Sequence, residues 1–168
     1  MAERQVQILM GSDSDAPVMQ RAVDLLRTLD VRVEMTVASA HRSPARVQRI
    51  IEEAPGQGVK VFIVGAGAAA HLAGVVAAHS TLPVIGVPID SSPLSGWDAL
   101  LATVQMPPGV PVATVSVGAA GATNAGVLAA QILALSDRAL AQRLADYKAS
   151  LAAKVERAAA KVEGNSTS

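Results

Sequence analysis

The sequence predicts an α/β protein, a parallel sheet held between two layers of helices in a three-layer α/β/α sandwich. Three observations predict it. Five short runs rich in Val, Ile and Leu are spaced along the chain. Each is followed by a longer stretch whose apolar residues recur at helical spacing. The runs are apolar almost continuously, as strands covered on both faces are, and a parallel sheet with helical crossovers is covered in that way.

The elements follow in order. Val6 to Met10 reads as the first strand, and a helix is expected from Asp15–Pro17 to about Leu29, with Val18, Ala22, Leu25, Leu26 and Leu29 on one face. Val31 to Val37 is the second strand, and its helix runs from Ser43 to Glu53 with Pro44 suited to the first helical position. The third pair is Val59 to Val64 and Ala68 to His79; the fourth is Val84 to Val87 and Leu94 to Val104; the fifth is Val112 to Val117 and Ala122 to Leu135. Flavodoxin-like winding is the expected topology.

From Asp137 to about Val162, Leu140, Leu144, Tyr147, Leu151 and Val155 recur at spacings of three and four between charged residues, which predicts a long amphipathic helix. At 1.5 Å per residue such a helix reaches roughly 37 Å, longer than the sheet it would lie on. Part of it is therefore expected to pack on a neighbouring subunit of a homo-oligomer. Residues 1–162 are expected to form one domain and 163–168 a disordered tail.

Composition bounds the partners. The 168 residues are 51% hydrophobic but only 2% aromatic, so the core must be built from Ala, Val, Leu and Ile. Fourteen basic and fourteen acidic residues give a formal net charge of +0 with no run of one sign, which argues against nucleic acid. The absence of Cys excludes disulfides, thiolate metal sites and a Cys nucleophile. No signal-peptide pattern opens the chain and no uninterrupted apolar run reaches about 18 residues, so a soluble cytoplasmic protein with no membrane partner is expected.

In parallel α/β proteins ligands bind beyond the carboxyl ends of the strands. There the second strand runs into Ser39-Ala40-His41-Arg42-Ser43-Pro44, which offers an imidazole able to move protons near neutral pH beside a permanently charged guanidinium. The first strand runs into Gly11-Ser12-Asp13-Ser14-Asp15, a turn at a helix start where backbone N–H groups and the hydroxyls of Ser12 and Ser14 suit a phosphate and Asp15 suits a ribose hydroxyl. Helix capping by Ser14 or Asp15 explains the same residues as readily. The third strand ends in Gly65-Ala66-Gly67-Ala68-Ala69-Ala70, which fits the G-x-G-x-x-A dinucleotide fingerprint, with Asp90 twenty residues further on. Two strand–helix units already precede it, whereas that fingerprint normally opens its domain. His71 and His79, eight residues apart, would be separated by roughly 12 Å along one helix, too far to share an ion, so no metal site is expected. The loops at Ser91–Gly96 and Gln105–Pro111 are expected either to close over a ligand or to serve as ordinary connections.

Gly11-Ser12-x-Ser14-Asp15, Ser39-Ala40-His41-Arg42, Gly65-Ala66-Gly67-x-Ala69-Ala70-His71-Leu72 and Gln105-Met106-Pro107 occur in this order. On these blocks the chain resembles the class I N5-carboxyaminoimidazole ribonucleotide mutases, over about residues 6–150. The resemblance implies an isomerase of de novo purine biosynthesis that moves a carboxylate from the exocyclic nitrogen of an aminoimidazole ribonucleotide to ring carbon C4. It implies no cofactor and no metal, a homo-octamer with interlocking carboxy-terminal helices, and a transient contact with the synthetase that supplies the substrate. It implies His41 as the proton-transfer residue, Ser12, Ser14 and Arg42 on the phosphate, Asp15 on the ribose, Ser39 among the substrate-binding residues, and Gly67, Ala70, His71 and Leu72 around the base and carbon dioxide. A related class that uses carbon dioxide directly is similar but carries Lys in place of Arg42, which makes that carboxylase the alternative. A nicotinamide-dependent oxidoreductase is a more distant one, and a non-catalytic phosphate-binding module a third. The chain departs from the family pattern at Ala68, usually Gly, at Ala73, usually Pro, and at Trp97, usually a smaller aliphatic residue.

Overall fold

A computed structural model describes residues 4–165. The chain alternates β1 (Val6–Met10), α1 (Ala16–Thr28), β2 (Val33–Val37), α2 (Pro44–Glu53), β3 (Val61–Gly67), α3 (Leu72–His79), β4 (Val84–Ile89), α4 (Trp97–Val104), β5 (Ala113–Thr114), α5 (Gly118–Ala134) and α6 (Arg138–Asn165). The strands form one sheet in the order β2-β1-β3-β4-β5, every neighbouring pair parallel. This is the flavodoxin-like winding, whose strand order reverses between β1 and β3, where a ligand crevice opens at the carboxyl edge.

Side chains alternate across the sheet with a period of two. Val6, Ile8, Met10, Val61, Ile63, Ile85 and Val87 join a core with Met19, Ala22 and Leu26 of α1, Ala122, Ala125 and Ala129 of α5, and Leu140 of α6. Leu9, Phe62, Val64 and Val84 face the opposite core, with Val47 and Ile51 of α2, Leu72 and Val76 of α3, and Ala99 of α4. The small residues of α5 let it lie close along α1 and the sheet. Gln7 is fully buried in β1, where its side-chain amide donates to the carbonyls of Ile8 and Glu34.

Strand β2 begins at Val33 rather than Val31, β3 runs from Val61 to Gly67 rather than from Val59 to Val64, and β4 continues to Ile89 rather than Val87. Four other elements also differ from the boundaries expected of them. The fifth strand spans two residues instead of Val112 to Val117, because it is an edge strand paired only with β4, through Ile85 with Ala113 and Gly86 with Thr114. Helix α3 begins at Leu72 rather than Ala68, since Ala68 is left-handed at φ 49° and the next residues form tight turns, with the N–H of Ala70 on the Ala68 carbonyl. Helix α4 begins at Trp97 rather than Leu94, because Ser95 and Gly96 both have positive φ, 52° and 80°. Helix α5 begins at Gly118, four residues before Ala122, because the two alanines that follow Gly118 already take helical dihedrals.

Helix α6 starts where expected, with the Asp137 carboxylate accepting from the N–H of Leu140 at 3.0 Å as its cap. Its first half packs on the core through Leu140, Leu144 and Tyr147, and Arg143 Nε donates to the carbonyl of Leu29. Its second half leaves Leu151, Val155 and Val162 exposed. The helix continues to Asn165, so residues 163–165, assigned to a disordered tail on sequence grounds, are helical; 166–168 lie outside the described residues. Among the described residues no helix is long and apolar enough to cross a membrane.

Candidate active site

The carboxyl ends of β1, β2, β3 and β4 surround a cavity of about 190 Å³. Ser12, Ser14, Asp15, Ser39, His41, Arg42, Gly67 and Leu72 all line it, so the sheet gathers most of the residues singled out from sequence. Ala70 is not among the residues that line the cavity: it is fully buried in the core with Leu9, Val47 and Leu72. His71 stands behind His41 rather than in the cavity wall.

The first strand delivers a reciprocal cap. Ser12 Oγ accepts from the N–H of Ser14 at 3.4 Å, and the N–H of Ser12 donates to Asp15 Oδ2 at 3.2 Å. A cap by Ser14 or Asp15 is expected from the sequence, but the capping hydroxyl is that of Ser12, with Asp15 only reciprocating to its N–H and making no side-chain cap to α1; the hydroxyl of Ser14 has no protein partner among the described residues, and Ser14 lines the cavity. Asp15 is buried, and burial raises its carboxyl above the ordinary 3.8. The Ser12 N–H and the Arg42 guanidinium pull the other way, while the Asp13 charge adds to the rise.

The second loop winds on itself and locks Arg42. Ser39 Oγ accepts from the backbone N–H of Arg42 at 3.2 Å, and Ser43 Oγ both accepts from the N–H of Ser39 and donates to its carbonyl. Arg42 Nη2 then reaches across to the carbonyl of Gly11 at 2.8 Å, tying the second loop to the first. Its remaining terminal nitrogen is free among the described residues, so a fixed guanidinium and the Ser14 hydroxyl converge where an anion would sit.

His41 Nε2 lies 2.9 Å from His71 Nδ1, with the rings nearly perpendicular at 87°. The left-handed turn at Ala68 lifts the loop so that His71, the residue before α3, can meet an imidazole thirty positions earlier. His79 sits at the far end of α3 with its ring on the carbonyl of Val75, away from the cavity.

The glycines of the third loop answer to packing. A Cβ on Gly65 would stand 2.4 Å from Met19 Sδ, and one on Gly67 would stand 1.8 Å from Ser91 Oγ. The dinucleotide fingerprint is thus accounted for by close approach of α1 and of the loop after β4, and α3 opens too late to cradle a pyrophosphate at its first turn. Ser91 lines the cavity too, along with the backbone-rich positions Gly11, Ala40, Ala66 and Ala69. Its place two residues past a strand end was the available signal.

A family model described as AIR carboxylase matches residues 5–154, a span that carries all four strand-end loops. The chain belongs to the AIR carboxylase family. Among its relatives, the N5-carboxyaminoimidazole ribonucleotide mutase of Bacillus subtilis is 56% identical over 139 residues, covering 83% of this chain and 86% of the relative. The protein of the same description from Escherichia coli is 50% identical over 143 residues, covering 85% of each. The crystal structure of Treponema denticola PurE superposes with a TM-score of 0.85 at 29% identity, over 94% of this chain and 98% of that one. Membership of the AIR carboxylase family therefore rests on the whole α/β unit and not on one loop.

Proposed function

We propose that this member of the AIR carboxylase family is an N5-carboxyaminoimidazole ribonucleotide mutase, an isomerase of de novo purine biosynthesis. The observation that carries the proposal is the His41–His71 contact beside a cavity that His41, Arg42 and Ser14 all line. Relatives of that description at half identity or better support it. Ser12, Ser14 and Arg42 hold the phosphate, Asp15 takes a ribose hydroxyl, Ser39 keeps Arg42 in place, and Gly67 and Leu72 wall the base.

The reaction then needs little beyond confinement and one proton relay. The bond between the exocyclic nitrogen and its carboxylate breaks, the electron pair stays on nitrogen, and His41 supplies the proton that nitrogen takes up. Carbon dioxide is held in the cavity beside Ala66, Gly67, Ala69 and Leu72, and the ring carbon C4, enriched by the free amine, attacks it. His41 recovers a proton from C4 as the carbon–carbon bond is made, so the imidazole finishes as it began. With Nε2 occupied by His71, Nδ1 is the nitrogen left to face substrate. Confinement keeps carbon dioxide from escaping before C4 captures it.

The same proposal takes the exposed second half of α6 as the arm that packs on a neighbouring subunit of a homo-octamer, in the cytoplasm, with transient delivery of the unstable substrate by its synthetase. The relay through imidazole asks nothing of a metal or other cofactor. Arg42, where the similar direct-carboxylating class carries Lys, favours the mutase over that alternative. An ultraviolet assay of purified protein decides between them. Turnover of N5-carboxyaminoimidazole ribonucleotide without added bicarbonate is expected; bicarbonate-dependent turnover of the unmodified aminoimidazole ribonucleotide alone would assign the carboxylase, and inactivity towards both would overturn the proposal.

A further inference from the structure

We infer that Ser91 is a substrate-contacting residue, whose hydroxyl donates a hydrogen bond to the carboxylate that migrates on the imidazole; the inference rests on the mutase reading above. Ser91 is the cavity's contribution from the loop after β4, the lining strand farthest in the sheet order from β2, which Arg42 follows. In the sheet order β2-β1-β3-β4-β5, Arg42 and Gly11 meet at the ends of β2 and β1, Gly67 ends β3, and Ser91 follows β4. A ribonucleotide whose phosphate is anchored by Arg42 and Ser14 extends across β3, and the end farthest from the phosphate is the base with its carboxylate.

Two further observations aim the hydroxyl. Ser91 Oγ has no hydrogen-bond partner among the described residues, although neighbouring Ser92 Oγ accepts from the N–H of Leu94. And the β3–β4 register, which sets Gly67 opposite Ile89, brings Ser91 so close over Gly67 that a Cβ there would overlap its oxygen. The glycine thus admits the Ser91 side chain over the floor of the cavity, where its hydroxyl is a ready donor for an anionic group. The cavity's fixed cation, Arg42, is spent on the phosphate, so a neutral donor at the far end can hold a carboxylate without preventing its loss as carbon dioxide.

Binding of two ligands to full-length Ser91→Ala tests this, because one ligand carries the carboxylate and the other lacks it. By calorimetry the variant is expected to bind the 4-carboxylated aminoimidazole ribonucleotide about tenfold more weakly than wild type, the loss of one hydrogen bond to a charged group, and the uncarboxylated ribonucleotide equally well. Unchanged binding of both, or equal weakening of both, would overturn the role of Ser91. Wild-type protein that binds neither ligand would instead overturn the mutase reading. Ser91 is exposed, so the variant is expected to keep the wild-type melting temperature.

Discussion

His41 Nε2 and His71 Nδ1 are 2.9 Å apart, on loops that follow different strands of the sheet. At that distance one nitrogen donates and the other accepts, so the pair holds one proton between its facing atoms and couples the tautomers of the two rings. His71 thereby sets which nitrogen of His41 works. Replacing His41 with Asn removes the relay and is expected to lower kcat by about 10²–10⁴, the usual share of general acid–base catalysis, with nucleotide binding kept. His71→Ala should lower kcat less, with little change in KM, since it frees the ring of His41 to turn. Steady-state kinetics of both variants check the order; a fully active His41→Asn protein would remove His41 from the mechanism.

Arg42 is pinned by Gly11 and Ser39 before any ligand arrives. Lys can match neither the two-pronged reach to the Gly11 carbonyl and an anion nor the planar geometry. Arg42→Lys is therefore expected to raise KM about tenfold with a smaller effect on kcat, the loss of one charge-assisted hydrogen bond. The deficit should grow with ionic strength in parallel assays at low and high salt, because a mobile ammonium is screened more readily than a fixed guanidinium.

How much of this was legible in the chain depended on whether the cause was local. The first four strands announce themselves because strands buried on both faces must be apolar throughout. The late start of α3 is illegible in Ala68 itself, because alanine is the strongest helix-forming residue type and yet stands here at φ 49°. The short fifth strand reflects a missing neighbour beyond β5, and Ser91 enters the site through the register of β3 on β4. The motifs at Ser12–Asp15 and Ser39–Arg42 could be read because each works within its own turn. Their meeting through Arg42 and Gly11 spans thirty-one positions and belongs to the fold.

Asp15 trades stability for its place in the site. Burial raises its carboxyl pKa above the unfolded value, so the native state binds that proton more tightly than the unfolded chain does. Its contribution is therefore intact below the ordinary carboxylate range and is lost as pH rises through the raised native value. Asp15→Asn keeps an acceptor for the Ser12 N–H and removes the titration. The variant is expected to melt at or above the wild-type temperature at neutral pH and to lose that advantage in acid, while its KM for the ribonucleotide rises. Thermal melts from pH 3 to 7 check this; a variant less stable than wild type at neutral pH but not in acid would show that the charge itself is stabilising.

Gly67 leaves no room for any side chain, since a Cβ would stand 1.8 Å from Ser91 Oγ and 3.0 Å from the carbonyl of Ile89. The hydroxyl can swing aside, but the carbonyl belongs to a paired strand. Gly67→Ala is expected to cost about 1–3 kcal/mol, the usual penalty for overpacking, and to displace Ser91 from the cavity. Combining it with Ser91→Gly should recover only the part of the loss owed to the Ser91 side chain, leaving the part owed to the Ile89 carbonyl, and should not recover the activity, a coupling that urea titration of the double-mutant cycle measures.

The two halves of α6 differ in burial. Leu140 is 1% exposed within its own subunit, while Val155 is 66% and Val162 67% exposed on the same helix. From Leu151 to Asn165 roughly 22 Å of helix extends past the last core contact, too long a stretch to stay folded on propensity alone without burying its apolar positions. Removing everything after Ser150 leaves Leu140, Leu144 and Tyr147 in place, so the shortened chain should keep its far-ultraviolet signature per residue and its flavodoxin-like core. What it should lose is assembly: light scattering is expected to show a particle well below the mass of the full-length protein, and activity should fall with it if neighbouring subunits steady the cavity. A truncated protein of unchanged assembly state would mean that α6 is not the arm, and would move the search for the interface to the exposed Trp97 and Leu101 of α4.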